Sequence, residues 1–176
     1  MRYIFIGLIL NFLDFNVNFG SSNIELLPDF VGYILMYQGM KELSGDSEWF
    51  RKLPSFTIAM AIYSGIIFVL ELFGMSTESS IWLFIILGII SQIISLYIIY
   101  GIIMGIMDME RDNTWELYSE PLFSAWKVIV VCSILVIPLM LVLPVLSLIG
   151  AIIQLIASIY FLISFNRTKN AYYNYF

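Results

Sequence analysis

Side chains able to do chemistry are few in this 176-residue chain. It has no His and a single cysteine, Cys132, set in the apolar run VIVVCSILVI. A Ser-His-Asp triad, a Cys–His nucleophile and a His-liganded zinc or haem are therefore excluded within it. Cys132 reads as a small buried hydrophobe, and a lone cysteine cannot form an intrachain disulfide, so the redox compartment is not encoded. The densest acidic group is DMERDNTWELYSEP, residues 108–121, with five carboxylates and one arginine. Asp108 and Asp112 fall one turn apart if this stretch is helical, a spacing able to hold a divalent cation through carboxylates and water. The plainer reading is a solvated loop. A lipid-modifying enzyme would work through Asp108, Glu110, Asp112 or Glu116, but the further acids of a recognisable motif are missing. No catalytic residue is assigned and no cofactor is expected.

A second group is neutral and lies within apolar runs: Ser64, Ser91, Gln92, Ser95, Gln154 and Ser158. Gly88, Ser91, Ser95 and Gly105 share one face of a helix, and Ser147, Ala151, Gln154 and Ser158 share one face of another. Small residues let helices approach, and Ser or Gln can hydrogen-bond across the contact. The two stripes are expected to touch. Gly101 and Gly105 add a GxxxG to the first helix. Helix packing explains the pattern; a ligand or lipid cleft lined by Gln92, Ser91, Ser95, Gln154 and Ser158 is the functional alternative. No charged residue falls at the centre of an apolar run, which counts against a proton relay, ion pump or voltage sensor.

The elements that must hold these residues are apolar. Hydrophobic residues make up 61% of the chain, charged ones 12% and aromatics 16%, and the mean hydropathy is +0.94. A soluble domain has about 45–50% apolar and about 25% charged residues. Disorder needs the opposite composition. Eight basic residues against thirteen acidic ones, net −5, argue against nucleic acid as a partner. The expected class is all-α: a polytopic integral membrane helix bundle in a single domain, with the lipid bilayer as its main partner.

Charge-free stretches mark the segments. Residues 79–107 would make roughly 43 Å of helix, enough to cross a hydrocarbon core of about 30 Å. Residues 128–166 would make roughly 58 Å and suit two crossings, with Pro138, Pro144 and Gly150 placing a turn near 143–147. Pro54 opens and Gly74 closes another segment. The expected spans are 3–13, 24–43, 54–73, 79–107, 122–142 and 147–166. The first two are short, either two brief crossings or a re-entrant hairpin. Ser22 and Glu25 have the spacing of a capping box; alternatively the second helix opens at Pro28, with Asp29 in its first turn. Arg2 and the following apolar run resemble a signal peptide, but no small-residue cleavage site follows.

With the N-terminus cytoplasmic and six segments, all eight basic residues fall on one side: Arg2, Lys41, Arg51, Lys52, Arg111, Lys127, Arg167 and Lys169. The opposite connections hold none. That asymmetry predicts a multi-pass cell-membrane protein with both termini cytoplasmic. Glu71 and Asp14 are expected at the outer interface. Trp49, Trp126 and Trp82 fall at segment boundaries, as an interfacial belt requires. Trp115 and the tail NAYYNYF are expected to rest along the interface.

The stretch Leu27-Pro28-Asp29-Phe30-Val31-Gly32-Tyr33-Ile34-Leu35, with Gly39 after it, resembles a recurring pattern of small bacterial multi-pass membrane proteins. It covers about the first quarter of the chain. The resemblance implies a bacterial inner-membrane location and nothing catalytic. Gly32 and Gly39, seven apart on one face, also permit close helix packing on their own terms. The expected function is a non-enzymatic membrane subunit, accessory factor or scaffold, with other membrane subunits as partners. One alternative is a small-solute or lipid-binding transport component, similar in size and topology to the substrate-binding membrane subunits of vitamin-type importers. The docking motif of those subunits is absent from YIFIGLILNFL. The other alternative is the lipid-modifying enzyme of the acidic 108–121 loop.

Overall fold

A computed structural model describes residues 1–12, 16–19, 22–25, 29–73, 81–142 and 144–175. The described elements run α1 (Arg2–Phe12), β1 (Asn16–Phe19), β2 (Ser22–Glu25), α2 (Asp29–Glu42), α3 (Glu48–Lys52), α4 (Pro54–Leu72), α5 (Ile81–Asn113), α6 (Ser119–Val142) and α7 (Pro144–Asn174). Among the described residues the regular structure is helical apart from one two-stranded antiparallel sheet, β1 paired with β2. The chain divides into two compact units, Met1–Ile102 and Ile103–Phe176.

In the first unit α1 and α2 pack antiparallel through glycines. A Cβ on Gly7 would overlap the Gly32 carbonyl oxygen and come within 2.6 Å of Met36 Cγ. A Cβ on Gly39 would sit 2.6 Å from Ile4 Cγ1 and 2.8 Å from the Ile4 nitrogen. Glycine costs about 1 kcal/mol in a helix relative to Ala, so these positions are explained by backbone proximity and not by propensity. Ile4, Leu8, Tyr33, Met36 and Met40 form the buried seam. Phe30 on α2 meets Phe68 on α4 at 5.7 Å between ring centroids, and β2 lies against α4. Ser47 caps α3 by accepting a hydrogen bond from the Trp49 N–H at 3.1 Å. Pro54 then opens α4, where a missing N–H costs nothing. Trp49 meets Tyr97 and Tyr100 edge-on, and Leu53 fills the space over Gly101.

In the second unit α6 and α7 pack against each other. Tyr118, just before α6, meets Arg167 near the end of α7, so the pair is antiparallel. Leu122, Ala125, Ile129, Phe161 and Phe165 are buried here.

Two expectations are corrected. Ser22 and Glu25 do not cap a helix: they end and begin a strand partnership in which Asn16 pairs with Glu25 and Phe19 with Ser22. A helix opened at Ser22 meets Pro28, which disfavours the α region at Leu27, so it could not propagate. α2 instead begins at Asp29, with an acid in its first turn and Lys41 in its last. Second, the acidic stretch 108–121 is a loop only over residues 114–118, because α5 continues to Asn113 and α6 begins at Ser119. Arg111 reaches back to Asp108 at 3.2 Å, and Asn113 Nδ2 donates to the Met109 carbonyl at 3.2 Å. Thr114, at φ 55, then ends the helix in the left-handed region. α7 runs through the aromatic tail to Asn174.

Among the described residues two helical stretches are long and apolar enough to cross a membrane, Ile86–Asn113 and Leu148–Asn174. α1 and Pro54–Leu70 are apolar but shorter. The turn expected at 143–147 falls where α6 ends at Val142 and α7 starts at Pro144. Residue 143 lies outside the described residues, as do Asp14, Pro28 and Gly74 and the side chains of Glu71, Trp82 and Ser147.

Candidate functional site

The neutral polar stripe of α5 belongs to the first unit. Ser91 Oγ donates to the Gly88 carbonyl at 2.9 Å, so its hydroxyl is satisfied within its own helix. The space where a Gly88 Cβ would stand is open. Gln92 is half-buried and has a partner of its own. Ser95 is the member that reaches another element: the Tyr33 hydroxyl of α2 lies within hydrogen-bonding reach of both Ser95 and Asn11. Tyr33 is only 4% exposed, and a buried phenol needs such partners. The Asn11 carbonyl oxygen is buried against Gly32 without a hydrogen-bond partner. The sequence reading singled out Ser95 and missed Asn11 and Tyr33. Asn11 was legible as a polar interruption of YIFIGLIL, and Tyr33 as the phenol one residue after Gly32.

Gln154 and Ser158 belong to the second unit. Ser158 is buried and Gln154 half-buried on α7. The two stripes thus sit in different units, and each is described within its own.

Within the acidic group, Glu110 holds a connection together. Glu110 Oε1 accepts the Leu117 N–H at 2.6 Å and the Ser119 N–H at 3.3 Å. Its other oxygen, Oε2, accepts the Ser119 hydroxyl. One carboxylate therefore ties the end of α5 to the start of α6 and satisfies donors that the helix start leaves open. Asp108 and Asp112 both face Arg111, at 3.2 and 3.3 Å. Among the described residues no group of three or more His, Cys, Asp or Glu is placed to hold a metal ion.

Glu110 also fixes the backbone on both sides of Tyr118, a bulky residue held at φ 58. Such a conformation is rare outside glycine, and it persists where surrounding bonds determine it. The Tyr118 ring carries the Arg167 guanidinium, 3.9 Å from the ring centroid. Trp115 stacks on Tyr175 at 5.3 Å and meets Tyr172 edge-on. The Glu116 N–H donates to the Tyr175 hydroxyl at 3.2 Å. Glu116, Tyr118, Arg167 and Tyr175 line a cavity of about 310 Å³ together with Asn170, Ala171 and Asn174. Among the described residues Arg167 forms no ion pair with a carboxylate. Sequence reasoning counted Arg167 only as an orientation charge. Its signal was the spacing: Arg167, Asn170 and Asn174 fall at steps of three and four, on one helical face.

Comparison with family models, with curated proteins and with solved structures finds no match to the chain.

Proposed function

We propose that the chain is a multi-pass protein of the bacterial inner membrane, a helix bundle of about six segments with both termini cytoplasmic, acting as a non-enzymatic subunit, accessory factor or scaffold. The observation that carries the reading is the apolar surface. On α4 and at the residue just after it, Ile58, Ile62, Ile66, Val69 and Phe73 are all exposed at steps of four, four, three and four. On α7, Leu148, Ile152, Ile156, Ile159 and Ile163 repeat that arrangement, and on α5 Ile86, Ile90, Ile93 and Tyr97 do so. A half-exposed isoleucine forgoes roughly 1 kcal/mol of burial in water. Summed over these faces, that is comparable with the about 5–15 kcal/mol that holds a whole domain together. In Ile86–Asn113 and in Leu148–Asn174 only 28% of the apolar window is buried, whereas the core helix of a soluble protein is mostly buried. Lipid tails remove the penalty.

Orientation rests on the eight basic residues collected at one set of segment ends. α1 and α2, at roughly 16 and 21 Å, suit a re-entrant pair or two short crossings, and both return Lys41 to the side of Arg2. The Leu27–Leu35 resemblance agrees with this location. The non-enzymatic reading is supported by the acids: Glu110 anchors a connection, and Asp108 and Asp112 face Arg111. In mild detergent the full chain is expected to run as an oligomer or with a stoichiometric membrane partner. A lone copy turning over a lipid, with the turnover lost in Asp108→Asn and Asp112→Asn, would overturn the reading. A second reading, a lipid-binding transport component, is favoured by the polar cavity at Arg167.

A further inference from the structure

The Arg167 cavity has two charges of opposite sign, Arg167 and Glu116, and the rest of its lining is two amides, two phenols and Ala171. A guanidinium without a carboxylate partner presents a planar fork of donors that matches a phosphate in two parallel bonds. Stacking on Tyr118 fixes the plane of that fork. Tyr118 is itself immobilised, since the backbone N–H groups on either side of it are both bound to Glu110. Asn170 and Asn174 present amides on the same face of α7 as Arg167. Glu116, whose backbone is pinned to Tyr175, supplies the complementary negative group. A simple anion would be opposed by Glu116, and a simple cation by Arg167. A ligand with both signs is opposed by neither.

We propose that this cavity binds an aminophosphate zwitterion of the phosphoethanolamine class, with the phosphate on Arg167 and the ammonium on Glu116. The same chemistry is offered by a lipid headgroup or by the free aminophosphate. The lipid source rests on the membrane reading: the apolar run of α7 ends at Phe165, which places Arg167 at headgroup depth.

The test uses the full chain in dodecyl maltoside, titrated with dioleoyl-phosphatidylethanolamine, dioleoyl-phosphatidylglycerol and soluble phosphoethanolamine. Circular dichroism checks that each variant is folded. Phosphatidylethanolamine is expected to bind at least about ten-fold tighter than phosphatidylglycerol. Arg167→Gln should lose about ten-fold or more for every phosphate ligand, and Arg167→Lys should recover part of it. Glu116→Gln should remove the preference between the two lipids, weakening phosphatidylethanolamine binding and leaving phosphatidylglycerol binding no weaker than before. Lys169→Gln, whose ammonium group donates to Asn166 at 2.7 Å, should change nothing. Soluble phosphoethanolamine binding as tightly as the lipid assigns the free source; binding ten-fold weaker or worse assigns the headgroup. Equal binding of both lipids by the unaltered chain, or equal losses in Arg167→Gln and Lys169→Gln, overturns the proposal. A chain that stays in solution without detergent and still binds phosphoethanolamine through Arg167 would overturn the membrane reading alone.

Discussion

Gly7 and Glu48 show how differently single residues contribute here. At Gly7 any side chain must displace backbone, because the Gly32 carbonyl and the Met36 nitrogen, 3.0 Å away, cannot rotate aside. Overpacking of this kind costs about 1–3 kcal/mol. Gly7→Val should therefore lower the thermal unfolding midpoint in detergent, while Gly88→Ala, which enters open space, should not. Glu48 is exposed and acts through its ion-paired hydrogen bonds with Lys52 and Arg51. Its carboxyl is held below the ordinary carboxylate range, first by the hydrogen bond from Lys52 at 3.0 Å, then by the Lys52 and Arg51 charges. A lowered value means the contribution is present above the unfolded value and lost as pH falls through the folded one. An acid titration should show the difference between the natural chain and Glu48→Gln shrinking to nothing in that lowered range. The effect should weaken with added salt, since the pair is solvated.

At the scale of elements, α4 decides between water and lipid. Ile62 and Ile66 are 60% and 55% exposed near the middle of the helix. A lysine at such a site in a soluble protein changes stability by within about 0.5 kcal/mol. At the centre of a membrane span it costs about 2.5–3.5 kcal/mol. Ile62→Lys with Ile66→Lys should block membrane insertion, measured by glycosylation-site mapping. Elements built on long apolar periodicity were legible in the sequence: α4 and α5 open within two residues of their expected starts, because Pro54 and the charge-free runs mark them. The hairpin was not: Asn16–Phe19 alternates polar and apolar residues, but for only four positions, the least that signals a strand, and its polar, turn-rich surroundings read as a loop. The reach of α5 to Asn113 was hidden for a related reason. Its last turns are charged, and their helical state depends on Arg111 turning back to Asp108 and on Glu110 finding its donors seven and nine residues ahead. The candidate site was legible as residue types but not as a place. Arg167 and Tyr118 stand 49 positions apart, and only the antiparallel α6–α7 pairing joins them.

For the whole molecule, the account depends on what surrounds the exposed apolar faces. The basic residues give the direction: Arg2 at one end and Arg167 and Lys169 at the other are on the same side if the segments number six, and on opposite sides if they number five or seven. The most direct test places a small epitope tag at each terminus, in separate full-length chains expressed in a bacterial host, probes intact spheroplasts with protease, and in a parallel sample washes the isolated membranes with carbonate. The account predicts that both chains stay in the carbonate-washed membrane and that neither tag is cut until the inner membrane is opened. Release into the carbonate supernatant, or cleavage of one tag but not the other in intact spheroplasts, would contradict it.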